Sequence, residues 1–199
     1  MADPVSAPRV RDPARKEKIL AAAAALIARD GYHAVSMADI GAEAGITGSG
    51  IYRHFGSKAA ILVAIFDRVM DELLTDERRI VQTQSDLARA LDLLIEGQVE
   101  FVVGTRAIAK VYHNEIASLP DVDRSRLRRK QREYVEEWVR VVRRLRPGVD
   151  DDHARTLVHA AISGIQSSLF YSPTLPDSEL RTVLGDVARR TICGTQQSA

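Results

Sequence analysis

The side chains of this chain that could do covalent or metal chemistry are few, and their spacing does not suit it. Cys193 is the only cysteine, and the histidines are five in number. His153 and His159 stand six apart, on different faces of a helix, and His113 and Glu115 two apart, so neither pair has the spacing of helical metal ligands. There is no Gly-x-Ser-x-Gly and no complete dinucleotide glycine fingerprint. Gly56-Ser57-Lys58 is not a Walker loop, because the lysine does not follow the glycine directly. We therefore expect no catalytic set, no metal site, no cofactor and no enzyme. What remains is chemistry of recognition. Hydroxyls, glycines, an imidazole and one cation crowd the run Thr47-Gly48-Ser49-Gly50-Ile51-Tyr52-Arg53-His54. A second polar run, Tyr112-His113-Asn114-Glu115, sits beside Ile108, Val111 and Ile116. Inward-facing members of that run must find partners, either in a network between helices or in a ligand.

The elements that carry these residues read as helices throughout. With 199 residues, 45% of them hydrophobic, the chain is long enough for a substantial core without disulfides, and one cysteine allows no intrachain bridge. The start lacks the order of a secretory signal, and the longest apolar run, Ile19 to Ala28, is half a membrane span, so a cytoplasmic protein off the membrane is expected. A net charge of +1 announces no nucleic-acid partner, and residues 1–58 hold only eight basic against six acidic groups. DNA binding would have to come from local placement of charge. Pro4, Pro8 and Arg9, Arg11 mark residues 1–12 as a basic arm, either disordered or able to enter a minor groove. Apolar periodicity then predicts helices over about 14–30, 37–44, 47–55, 58–83, 86–103, 106–118, 121–145, 151–171 and 178–193, with no sheet. Ser36-Met37-Ala38-Asp39 reads as a capping box, Gly45 as a stop, and Ser57 as the cap of the long fourth helix.

Two short helices around Gly45-Ile46-Thr47 have the layout of a helix-turn-helix, whose second helix enters the major groove. A helix from Thr47 to Phe55 would be about 12 Å long, comparable with that groove. Gly48 and Gly50 cost about 1 kcal/mol each in a helix, which suits close backbone approach to DNA, unless the segment is a loop. The run from Ser36 to Lys58, above all Tyr52-Arg53-His54-Phe55-Gly56-Ser57-Lys58, with Gly31-Tyr32 upstream, closely resembles the signature of the tetracycline-repressor (TetR) family. Gly41, Thr47 and Gly50 depart from the commonest residues of that signature. The resemblance implies that Ser36, Thr47, Tyr52, His54 and Lys58 contact phosphates of operator DNA, while Gly48, Ser49 and Gly50 face base edges. Arg53 reaches a guanine or a phosphate, or is merely solvated. Ile40, Ala44, Ile46 and Ile51 belong to the core, and Phe55 packs on the first helix.

The resemblance covers about 50 residues closely; beyond them it extends only to helical pattern and length. It implies an all-α protein with a helix-turn-helix domain at 13–58 and a larger ligand-binding and dimerisation domain at 59–199. The implied activity is that of a ligand-responsive repressor that binds palindromic operators as a homodimer. A non-enzymatic helical adaptor is the rival from another class. Phe101, Tyr112, Glu115, Tyr134, Trp138 and Gln166 are the candidates for lining an effector cavity, with intrachain core as the alternative for the aromatic stripe. Tyr112-His113-Asn114-Glu115 and the Arg-rich run through Trp138 faintly resemble lipid-catabolism regulators that respond to acyl-CoA thioesters. Arg128, Arg129 and Lys130 would then meet the phosphates; a drug-like or aromatic effector is the other option. Leu157, Ala161, Gly164, Leu180, Leu184 and Val187 are expected at the subunit interface, with intrachain core again the alternative.

Overall fold

The computed structural model describes residues 13–46 and 48–194, with Ser49 described by its backbone alone; the arm at 1–12 and Thr47 lie outside the described residues. Within them the chain is helical, with no strand. Helix α1 (Pro13–Asp30) opens on a proline, whose missing amide hydrogen costs nothing at a first helical position. Gly31 closes it at φ +87, its amide returning 2.9 Å to the Ile27 carbonyl. Helix α2 (Met37–Glu43) is held by the expected capping box between Ser36 and Asp39. Its other end is a Schellman turn: Gly45 (φ +66) bonds Ala42 at 3.1 Å and Ile46 bonds Gly41 at 2.8 Å.

Regular α3 spans only Gly48–Ile51, shorter than periodicity suggested. The chain nevertheless stays coiled to Phe55, whose amide bonds Ile51 at 3.0 Å while His54 bonds the same carbonyl at 2.9 Å. Two glycines in a short segment weaken regular helix, and turn bonds take over. Ser57 then caps α4 (Lys58–Thr83), the longest helix, which packs against α1, α5 (Leu87–Gly104) and α7 (Asp121–Leu145). Helix α6 (Arg106–Glu115) continues as a 3-10 turn at Ile116–Ser118, and α8 (Asp151–Gln166) as another at Ser167–Phe170. Helix α9 (Asp177–Cys193) lies on α8 and α5. The expected helices at 106–118 and 151–171 therefore each end in a tightened turn.

One buried set of apolar side chains runs from Ile19 in α1 to Ile192 in α9. The amino-terminal unit is joined to the rest by α4 without a linker, and α1 also rests on α6. Asp67 pins the middle of α4 to α7: it accepts from Lys130 at 2.9 Å and pairs with Arg126. Burial opposes ionisation of that carboxyl, but hydrogen bonds from Arg126 and Lys130 outweigh it and hold the pKa below the ordinary range.

Candidate nucleic-acid interface and ligand cavity

The helix-turn-helix takes its angle from a small core. Ile40 and Ile51 are fully buried, Ala44 and Ile46 pack partly buried against them, and Phe55 is buried with the Lys16 ammonium 5.5 Å from its ring centre. Gly41 lies in the same contact, where an added Cβ would come within 3.1 Å of the Ile46 carbonyl. An alanine at this position would press on the turn. Outward, Tyr52 is 59% exposed and Arg53 is exposed beside it, with His54 half-buried. Ser36 is exposed at the cap of α2, its hydroxyl donating to Asp39 at 2.6 Å and accepting from the Asp39 amide at 3.1 Å. The backbones of Gly48, Ser49 and Gly50 form α3 next to these groups. Thr47 and the Ser49 side chain fall outside the described residues.

Lys58 departs from expectation. Its ammonium donates to the carbonyls of Tyr32 and Val35, each at 2.6 Å, and lies 4.4 Å from the Tyr32 ring centre. A cation with two carbonyl partners and an aromatic face is already satisfied, so Lys58 ties the α1–α2 loop to the head of α4. A phosphate contact from this ammonium would have to displace those bonds.

Farther along α4 lies a cavity of about 570 Å³. Val69, Met70 and Leu73 face it from α4, Gln98 and Phe101 from α5, Tyr112 from α6, Arg128, Gln131, Arg132, Tyr134, Val135 and Glu136 from α7, and Arg155, His159, Ile162, Ser163 and Gln166 from α8. Four of the six residues expected at an effector site therefore meet here: Phe101, Tyr112, Tyr134 and Gln166. Two do not. Trp138 is 0% exposed, a member of the buried core with its ring edge-on to Tyr134, and is outside the cavity wall. Glu115 ends α6 on the side of His33, 3.9 Å away, and accepts from the Ser118 hydroxyl. It is the last residue of α6, where the chain turns into the 3-10 segment Ile116–Ser118.

The cavity has an apolar side and a cationic mouth. Arg128 and Arg132 are exposed and have no hydrogen bond or ion pair among the described residues, and His159 is likewise exposed. Arg155 is committed to Glu136 and, at 3.1 Å, to Asp151; the bond to Arg155 holds the Glu136 carboxyl below its ordinary pKa. The expected cation trio is thus divided. Lys130 is spent on Asp67 and Asp71, Arg129 lies 3.8 Å from Glu133, and only Arg128 faces the mouth. Arg132, Arg155, His159 and Gln98 were not expected. On α8 the spacing Arg155, His159, Ile162, Gln166 is a helical stripe that could have revealed Arg155 and His159, whereas Arg132 on α7 and Gln98 on α5 carry no such local signal. A second hollow of about 720 Å³ between α1, α4 and α5 shares Val69, Leu73 and Phe101; two cations line it, Lys18, which is exposed, and Arg68, which is paired with Glu17 and Glu72.

The expected interface residues also divide. Ala161, Leu180 and Leu184 are buried within the subunit, where α8, α9 and α5 pack together, so they are core. Leu157 and Gly164 are half-buried and Val187 is 45% exposed, with Val183, 46% exposed, one turn before it. The near-heptad stripe of α9 thus wraps two faces. Its Leu180-Leu184 edge points inward and its Val183-Val187 edge outward.

Comparison with known proteins follows the same division between the two ends. Residues 19–65 match the model for bacterial regulatory proteins of the tetR family. The transcriptional activator FasR of Mycolicibacterium smegmatis is 28% identical over 113 residues, 56% of this chain and 51% of that protein, so the chain spans about half the length of FasR. The transcriptional repressor KstR2 of Rhodococcus jostii is 29% identical over 143 residues, 71% of this chain and 69% of that protein. Among solved structures, a TetR-family regulator from Bordetella parapertussis superposes with a TM-score of 0.81 at 21% identity, covering 93% of this chain and 97% of that one. AibR bound to isovaleryl coenzyme A and operator DNA superposes at 0.74 with 21% identity, covering 86% and 96%. Residues 19–65 are thus similar to the tetR family of bacterial regulatory proteins, and the chain shares the helical fold of these solved structures over most of its length.

Proposed function

We propose that this protein is a ligand-responsive transcriptional repressor that binds palindromic operator DNA as a homodimer and is released by an anionic, largely apolar effector such as an acyl-CoA thioester. In this reading α3 enters the major groove, with Tyr52, His54, Ser36 and Thr47 on phosphates and Gly48, Ser49 and Gly50 against base edges. Arg53 supplies a further cation there. Lys58 acts indirectly, by fixing the α1–α2 loop that carries Ser36.

The observation that carries the reading is the mouth of the cavity. Arg128 and Arg132 stand, unpaired among the described residues, over a pocket with an apolar side, and that pocket is walled by the same α4 that leads out of the helix-turn-helix. Unpaired arginines suit phosphates, and the apolar side suits a chain. A neutral aromatic effector would leave both cations without partners. AibR, of like fold, holds isovaleryl coenzyme A and DNA together. No residue of the reading is assigned a catalytic role. The effector acts through its different affinity for two settings of α4.

The test is a shift assay on operators selected from randomised DNA, repeated with isovaleryl-CoA, decanoyl-CoA and coenzyme A alone. Release by a thioester at concentrations where coenzyme A is inert supports the reading. Retention of operator in the presence of every thioester, with no thioester binding by calorimetry, refutes the effector assignment. The lack of any enriched sequence refutes the repressor and favours a helical adaptor.

A further inference from the structure

The interior of the cavity is more polar than a hydrocarbon chain requires. Tyr112 is 8% exposed, and its hydroxyl is buried without a hydrogen-bond partner among the described residues. Its ring is fixed by edge-on contact with Phe66, the centroids 4.7 Å apart, so the hydroxyl cannot easily turn away. Gln131 lies near it without completing a hydrogen bond, and Gln98, 2% exposed, adds a second buried polar group to the same wall. Burial, reinforced by the charge of Asp67, pushes the Tyr112 pKa up, so the group is a neutral donor across the physiological range.

A buried donor without an acceptor is costly, and a saturated acyl chain would seal it in that state. Building on the proposed effector, we infer that the buried part of the ligand carries an oxygen acceptor, a ketone or hydroxyl on the acyl group, which receives the Tyr112 hydroxyl hydrogen. Tyr112 is then the residue that distinguishes oxygenated acyl groups from plain alkyl ones. The apolar walls of Val69, Leu73 and Phe101 hold the rest of the carbon skeleton. The thioester carbonyl, which every acyl-CoA shares, gives no such distinction, and the experiment separates the two.

The experiment is calorimetric titration of the wild-type protein and Tyr112→Phe with decanoyl-CoA and a series of decanoyl-CoAs bearing a single ketone walked from C3 to C9. At the matching position the ketone tightens binding to the wild type about tenfold, the scale of one hydrogen bond restored to a buried donor. Tyr112→Phe brings that preference to within about twofold, while binding of decanoyl-CoA is unchanged or tighter and thermal unfolding is not lowered. A wild type that prefers no ketone position overturns the inference, and this arm needs no variant to fold. Equal loss for every ligand in Tyr112→Phe overturns it too, placing the hydroxyl on the thioester or in packing. The same pairs as free acids separate the two levels of the argument. If thioesters fail but the acids keep the ketone preference, the assignment at the mouth falls and that of Tyr112 stands. If thioesters and acids alike show no ketone preference, or neither binds, both fall.

Discussion

Glu77 lies on α4 in line with Leu73, Leu74 and Ile80, and the chain buries it as though it were one of them. It is 1% exposed, and neither carboxylate oxygen has a hydrogen-bond partner among the described residues. Burial, then the charge of Glu137, raise its pKa from 4.5 to about 9, against the weaker opposing pull of Arg140 and Arg78. Between these values the folded chain keeps a proton that the unfolded chain has lost. Stability contributed by this carboxyl is therefore whole below the unfolded pKa and falls as pH rises, by up to about 1.4 kcal/mol per unit. At pH 7 the loss is about 3 kcal/mol, an upper figure because water entering the fold would reduce it. Glu77→Gln keeps the size and neutrality of the protonated acid and cannot ionise. We expect it to be near neutral at pH 5 and stabilising by about 3 kcal/mol at pH 7, read by urea unfolding at fixed protein concentration. The carboxyls held low by partners, Asp67 and Glu136, act in a separate window: their stability is present above the ordinary carboxylate range and is lost only on acidification below it. A difference between variant and wild type that stays flat from pH 5 to 8 would mean that Glu77 is ionised and paired, and the argument would fail.

Three further substitutions test the other assignments. Lys58→Met removes the donor to Tyr32 and Val35 and should cost about 1 to 3 kcal/mol of stability, with weaker DNA binding but an unchanged salt slope; a slope lower by about one unit would restore the lysine to the phosphates. Arg132→Ser should weaken thioester binding about tenfold or more and leave operator affinity without ligand intact, and an equal loss for a neutral ligand would deny it the anionic head. Val187→Glu should dissociate the proposed dimer in sedimentation without unfolding the subunit, whereas Leu184→Glu should unfold it; an intact dimer in the first case moves the interface off the outer edge of α9.

The sequence made the backbone plain because its signals were local. Ser36 with Asp39, Gly31, Gly45 and Ser57 punctuate helices by bonds spanning a few residues, and each sits where its chemistry placed it. Direction around a helix was less legible. On α9, Val183 and Leu184 are neighbours in a stripe that periodicity cannot divide into an inner and an outer edge without knowing where α5 and α8 lie. Trp138 reads equally as a cavity or a core residue in the sequence, because aromatic side chains line both and helical periodicity does not separate them. Lys58 was legible as a cation at a helix start but not as one whose carbonyl partners lie more than 20 residues earlier. Glu77 could have been noticed as a carboxylate within an apolar stripe.

These groups together bear on how binding in the cavity would reach the DNA. Helix α4 is anchored at its head by Lys58 on the α1–α2 loop, near its middle by Asp67 on Arg126 and Lys130, and beyond that by Glu77 in the α4–α7 core. The cavity meets it at Val69, Met70 and Leu73, just past the Asp67 anchor. A ligand that displaces this stretch by about 1 Å acts close to that pivot, and a rigid helix rising 1.5 Å per residue carries the tilt about 14 Å back to Lys58. Its clamp leaves no slack there, so the loop bearing Ser36 and the turn bearing Tyr52 must move with the helix. In a dimer the two recognition helices must match grooves about 34 to 36 Å apart, and small opposed tilts in the two subunits add. A 100-fold change in operator affinity needs about 2.7 kcal/mol, within the usual range of coupling between sites. Lys58→Met therefore has a second consequence. A loosened clamp should reduce the ligand-induced change in operator affinity by more than it reduces ligand affinity itself. If both fall by the same factor, the clamp is structural only and the tilt reaches the DNA through the contact of α1 with α6.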